Sequence, residues 1–190
     1  MVRIIDLHKK YGRKTVLQGL NFSIERGIVL VRGPNGSGKS TLLRILAGIE
    51  RATSGRVEIN GLPPQENRES ISYMGHRTGL YLNMTLEENL NFFSSIYRSD
   101  DFRELVNEFG IGEYMKYPLN RLSRGSLQKV GLIRALMKDA DVYLLDEPST
   151  ALDVESKRVL SRLLEKFRNR IVFIATHDEI GVDADAEINL

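Results

Sequence analysis

The run V-R-G-P-N-G-S-G-K-S-T from Val31 to Thr41 constrains this chain more than any other stretch. Gly33 and Gly38 bracket four residues, and Lys39 and Ser40 follow at once, the spacing of a phosphate-binding loop. The apolar run Ile28 to Val31 before it reads as a buried parallel strand, and Leu42, Leu43, Ile45 and Leu46 after it recur at helical spacing. A loop of this composition joining a strand end to a helix start lets backbone N–H groups converge on phosphate oxygens, with the helix N-terminus favouring the anion. The nine residues Gly33, Pro34, Asn35, Gly36, Ser37, Gly38, Lys39, Ser40 and Thr41 are thus a candidate nucleotide phosphate site. Lys39 supplies a point charge for the β and γ phosphates, and the Ser40 hydroxyl suits the oxygen shell of a magnesium ion.

The 190 residues fit a single core, and 42% apolar with 27% charged residues is the composition of a folded soluble protein. The absence of cysteine excludes disulfides, thiol nucleophiles and cysteine metal sites together. No run of about 18 apolar residues occurs, and M-V-R-I-I-D lacks the apolar core of a signal peptide, so a cytoplasmic location is expected. The net charge of +2 is uneven: residues 1–60 carry 11 Lys or Arg against 4 Asp or Glu, and the remainder is net acidic. Nucleotide phosphates account for that basic first third; no basic helix or aromatic-spaced platform points to nucleic acid, and none is expected as a partner.

Residues 2–7 and 16–24 read as two strands joined by the turn K-K-Y-G-R-K, where Tyr11 serves equally as a base-stacking face or as an ordinary sheet-edge tyrosine. Short strands follow at 56–59 and 71–73. Residues 80–137 are mostly helical: Thr85 and Glu88 have capping-box spacing ahead of the apolar face Leu86, Leu90, Phe93 and Tyr97, and a second helix spans 101–109. This block, inserted at about 80–130 between strands of a nucleotide-binding sheet, is expected to be a subdomain. The apolar strand 142–146 releases Asp146 and Glu147 at its carboxyl end, where ligands gather in open α/β sheets. Asp146 suits a magnesium-holding acid, and Glu147, expected to point the other way by strand alternation, suits a base for attacking water. A helix over 153–167 and a buried strand over 171–176 follow, and His177 lies where a γ-phosphate sensor reaches. The closing A-E-I-N-L is a last short strand.

Three further segments extend the pattern. After the phosphate loop come L-S-R-G-S-L-Q-K-V at Leu122 to Val130, V-Y-L-L-D-E-P-S-T-A-L-D at Val142 to Asp153, and I-A-T-H at Ile174 to His177. In this order and spacing the chain resembles, over essentially its whole length, the ATP-binding cassette (ABC) ATPases. The resemblance implies an α/β fold with a P-loop core, an N-terminal antiparallel β subdomain and an inserted helical subdomain, so that residues 1–190 form one nucleotide-binding domain. It implies ATP and Mg2+ as ligands, with Tyr11 stacking on adenine, Lys39, Ser40 and Thr41 on phosphate and magnesium, Asp146 positioning magnesium, Glu147 as general base and His177 as the γ-phosphate contact. Two cassettes pack head to tail in this family, so Ser123, Arg124 and Gly125 are expected to face nucleotide held by the opposite subunit, and a monomer to hydrolyse poorly.

Two departures stand out. Arg124 and Ser126 replace a glycine and the glutamine of the usual L-S-G-G-Q, which adds charge against ATP or crowds the approach. His76, in Y-M-G-H, stands where the family has a glutamine near magnesium and the attacking water. A histidine there, in so short a chain, is similar to the ATPase subunits of the haem exporter of cytochrome c maturation, without naming a cargo. The expectation is an ATP-hydrolysing subunit, peripheral to the inner face of the cell membrane, that drives a separate permease as a homo- or heterodimer. A soluble ABC ATPase acting on DNA or the ribosome, and a regulatory cassette with little hydrolysis, are the alternatives. A small GTPase is excluded by the lack of an N-K-x-D segment.

Overall fold

The computed structural model describes residues 1–99, 102–177 and 180–190; residue 101, assigned above to a helix, lies outside them. Three strands form an antiparallel sheet in the order β2-β1-β4: β1 (Val2–Tyr11), β2 (Lys14–Ile24) and β4 (Ser54–Ile59). The first hairpin is tighter than its sequence suggests, with Tyr11 paired to Lys14 across Gly12 and Arg13, so Tyr11 ends a strand instead of lying in a loop.

The second sheet is parallel throughout, in the order β5-β6-β7-β3-β8. Its members are β3 (Gly27–Arg32), β5 (Ile71–Met74), β6 (Val142–Asp146), β7 (Ile171–Ala175) and β8 (Ala186–Asn189). Every residue of β6 and β7 is buried, which is why these strands read as unbroken apolar runs. Side chains nonetheless divide by strand alternation. Val29, Val31, Val142, Leu144 and Phe173 face one apolar cluster, shared with helix α1 (Lys39–Leu46) and the antiparallel sheet. Ile28, Leu30, Tyr143, Leu145 and Ile174 face the other, shared with α2 (Leu86–Tyr97), α3 (Phe102–Glu108), α4 (Arg124–Leu136) and α5 (Val154–Lys166). An edge-on contact between Phe22 and Phe173, with centroids 6.0 Å apart, ties the antiparallel sheet to the parallel one.

The capping box forms: Glu88 N donates to Thr85 Oγ1 at 3.2 Å, and Thr85 N to Glu88 Oε2 at 2.7 Å. Leu86, Leu90 and Phe93 are buried, and Tyr97 packs against the same cluster. Asn89, also on α2, is fully buried; its side chain bonds Tyr81 N and O, Met84 O and Thr85 O, fixing the loop that enters the helix. Asp153 and Phe167 flank α5 as caps, and Asp153 accepts from Ser156 N at 2.7 Å. Among the described residues no helix is long and apolar enough to cross a membrane.

Candidate nucleotide site

Register brings the site together. Val31 pairs with Ala175 and Ala175 with Asp146, so three adjacent strands end level and release the phosphate loop, His177 and Glu147 side by side. The loop turns into α1 at Gly38, whose φ of 112° is a conformation that side-chain-bearing residues avoid. A Cβ there would lie 2.7 Å from Val16 Cγ1, so glycine also permits β2 to press against the loop. Among the described residues no side chain caps α1, which leaves its first-turn N–H groups for an anion. Lys39 is only 6% exposed, and its ammonium donates to the carbonyls of Gly33 (2.7 Å) and Pro34 (3.2 Å), which hold it over the loop.

Asp146, at the end of β6, is 3% exposed and its Oδ1 has no hydrogen-bond partner among the described residues. Burial pushes its carboxyl above the usual carboxylate range, against the hydrogen bond from Ser40, and the charge of Glu147 pushes the same way. A buried oxygen without a partner beside a serine hydroxyl is an all-oxygen pair of the kind a hard divalent cation takes, so the residues present fit magnesium. No group of three or more His, Cys, Asp or Glu suited to a metal occurs among the described residues.

Glu147 does not follow strand alternation. The strand stops at Asp146, and Glu147 takes φ 51°, a left-handed conformation costly for a side-chain-bearing residue. The turn is held on two sides: Glu147 N donates to Ala175 O at 2.8 Å, and Gln128 of α4 donates to the carbonyls of Glu147 (3.0 Å) and Pro148 (3.1 Å). The turn thereby aims the carboxylate at His177, whose Nδ1 lies 2.9 Å from Glu147 Oε1. A carboxylate only accepts, so the contact requires the His177 tautomer with its proton on Nδ1 whenever Glu147 is ionised.

A pocket of about 580 Å³ opens over these groups. Asn35, Gly36, Gly38, Lys39, Ser40 and Thr41 line its floor; Tyr11, His76, Glu147 and His177 stand around it. Gly33, Pro34 and Ser37 belong to the same loop without lining the pocket, and Asp146 is hydrogen-bonded to Ser40. Lys14, Val16 and Thr150, which are not among the expected site residues, line the pocket too. Lys14 follows directly on the Tyr11 turn, and Thr150 closes D-E-P-S-T, so proximity to motifs was the available signal. Ser123, Arg124 and Gly125 do not line this pocket. They form the start of α4, where Ser123 accepts from Ser126 N at 3.1 Å. Gly125 lies so close to the 148–153 segment that a Cβ would come within 2.7 Å of Ala151 O.

The family model described as ABC transporter matches residues 17–150, most of the chain, phosphate loop and signature segment included. The chain belongs to the ABC transporter family. This ABC ATPase is 32% identical over 185 residues to the cytochrome c biogenesis ATP-binding export protein CcmA of Ruegeria pomeroyi, covering 96% of this chain and 87% of that protein. Among solved structures it is similar to an ATP-binding subunit of an ABC transporter, at 26% identity and a TM-score of 0.83 over 93% of this chain and 80% of that one. It is similar also to a dimeric ATP-binding cassette in a post-hydrolysis state bound to ADP and Pi, at 26% identity and a TM-score of 0.78 over 94% and 88% of the two chains. The chain is an ATP-binding and ATP-hydrolysing subunit of an ABC transporter, with the P-loop core, antiparallel β subdomain and inserted helical part that its sequence motifs imply.

Proposed function

We propose that this chain hydrolyses ATP at a site completed by a second cassette and passes the resulting closure to a separate membrane permease. In this reading the 33–41 loop and Lys39 bind the β and γ phosphates, Tyr11 stacks on adenine, and Ser40 and Asp146 hold magnesium. When bound, the metal neutralises charge on the phosphate oxygens. Glu147 orients and deprotonates the attacking water, His177 contacts the γ-phosphate while keeping Glu147 in place, and His76 hydrogen-bonds water or phosphate at the pocket rim. The observation that carries the reading is the convergence of Lys39, Asp146, Glu147 and His177 on one set of level strand ends.

Dimer formation rests on the absence of Ser123, Arg124 and Gly125 from the pocket of their own chain. Among the described residues the α4 N-terminus is capped by a side chain at Ser126 N, which leaves other first-turn N–H groups to serve nucleotide on another subunit. The solved relative bound to ADP and Pi is dimeric, which supports this arrangement. Permease docking rests on the exposed apolar side chains Ile49, Tyr81, Leu82, Phe92 and Ile96. Ile49 helps line a groove of about 420 Å³ between the segment that follows α1, β5, Tyr97 of α2 and Arg134 of α4. The relation to CcmA supports an export system of that type, and peripheral association with the inner face of the membrane follows from the permease.

The Glu147→Gln variant tests the catalytic assignment. It is expected to bind ATP, lose most phosphate release and accumulate as an ATP-dependent dimer on size exclusion. Undiminished turnover would remove Glu147 from the role of base. Capture of the tagged chain from detergent-solubilised membranes is expected to retain a polytopic membrane protein.

A further inference from the structure

Glu50 lies just beyond α1, with Glu50 N donating to Arg44 O at 3.1 Å, and none of the nucleotide motifs includes it. Its carboxylate collects three donors from two different parts of the chain. The Tyr11 hydroxyl donates to Oε1, Lys9 Nζ lies 2.8 Å from the same oxygen, and Arg44 Nε donates to Oε2 at 3.0 Å. Arg44 also reaches back to Thr41 Oγ1 at 3.3 Å, in the first turn of α1. A single side chain therefore joins the end of β1, which carries Tyr11, to the helix that carries the phosphate loop.

The ring itself is held on one side. Lys9 Nζ lies 4.8 Å from the Tyr11 centroid, and the Lys9 side chain, 13% exposed, does not line the pocket, whereas Tyr11 does. One face of the ring is backed by an ammonium, the hydroxyl is tied down, and the side chain lines the pocket. We propose that Glu50 is a positioning residue that fixes the Tyr11 ring and the phosphate-loop helix as one unit, so that the base and the phosphates of a nucleoside triphosphate meet surfaces already in register. Without the carboxylate, Lys9 and Arg44 remain as two cations in one cluster, and the ring is free to turn. The nucleotide would then have to order the ring on binding, which weakens affinity. This inference rests on the reading that Tyr11 stacks on the base.

The test compares magnesium-dependent affinities of the full chain for ATP and for inorganic triphosphate, which has no base. Glu50→Gln is expected to weaken ATP binding roughly three- to tenfold and leave triphosphate binding unchanged. Tyr11→Phe, which keeps the ring and loses the hydroxyl's bonds to Glu50 and Arg44, is expected to act alike. The double variant should weaken ATP binding by less than the two single effects combined, because the Tyr11–Glu50 contact is shared between them. Unchanged ATP affinity in both single variants, or equal weakening for ATP and triphosphate, overturns the proposal. If Glu50→Gln fails to fold, Tyr11→Phe alone carries the same two outcomes. Tyr11→Ala separates the underlying reading: if ATP affinity survives it, stacking fails, and if ATP binding weakens there but in neither Glu50→Gln nor Tyr11→Phe, only the clamp fails.

Discussion

Burial alone raises the pKa of a carboxylic acid, and at Glu50 that effect is present but outweighed. The hydrogen bonds from Lys9, Tyr11 and Arg44 bring its carboxyl from the usual 4.5 down to about 2. A group whose folded pKa lies below its unfolded one binds fewer protons in the native state, so it stabilises the fold at neutral pH. That stabilisation is fully present above pH about 4.5 and is lost as the pH falls toward about 2. Urea unfolding should therefore show Glu50→Gln less stable than the parent by roughly 1–3 kcal/mol at pH 7. The gap should narrow between pH 4.5 and pH 2, as the parent's carboxyl takes up its proton. A gap that stays constant across that range would mean that the charge on Glu50 contributes nothing to the cluster.

At the scale of elements, α4 connects two functions. Its first residues are the signature segment, Gln128 one turn on holds the turn of Glu147, and Lys129 lies 3.2 Å from Asp153, the cap of α5. Because Glu147 sits at φ 51°, its turn persists only while neighbouring groups hold it. Gln128→Leu removes two donors from carbonyls there and is expected to lower kcat by about tenfold or more with little change in ATP affinity, since no phosphate-loop residue is touched. Steady-state phosphate release over a range of ATP concentrations separates the two parameters, and a rise in KM with kcat unchanged would mean that Gln128 serves binding instead. The phosphate loop, the buried strands and the Thr85 cap were legible in the sequence because each depends on residues close together in the chain. Gln128 and the tie from Glu50 to Tyr11 were not, because those partners lie 19 and 39 residues away and no local pattern marks a bond across the fold. Alternation could not settle the direction of Glu147 for a related reason: it applies only within the strand, which ends at Asp146 as expected, and Glu147 already belongs to a turn at φ 51°.

At the scale of the whole molecule, the phosphate loop and the signature segment of one chain do not share a pocket, which gives the dimer reading a sharp consequence. Arg124 is exposed on the first turn of α4, so Arg124→Glu should fold normally, an acidic residue even being favoured at a helix start. Facing the phosphates of a partner's nucleotide, however, that carboxylate would repel them, and turnover should fall. Lys39→Ala should fall too, through loss of the ammonium held over the loop. If each site takes its loop from one chain and its signature from the other, mixing the two inactive variants creates dimers in which one site is doubly damaged and one is intact. With free exchange, half of the dimers in an equal mixture are mixed and each has one working site of two, so about one quarter of the parent's turnover per chain should return. If every site were complete within its own chain, Arg124→Glu would stay active by itself and mixing would add nothing. Phosphate release measured on the separate and combined variants distinguishes these arrangements without any membrane partner present.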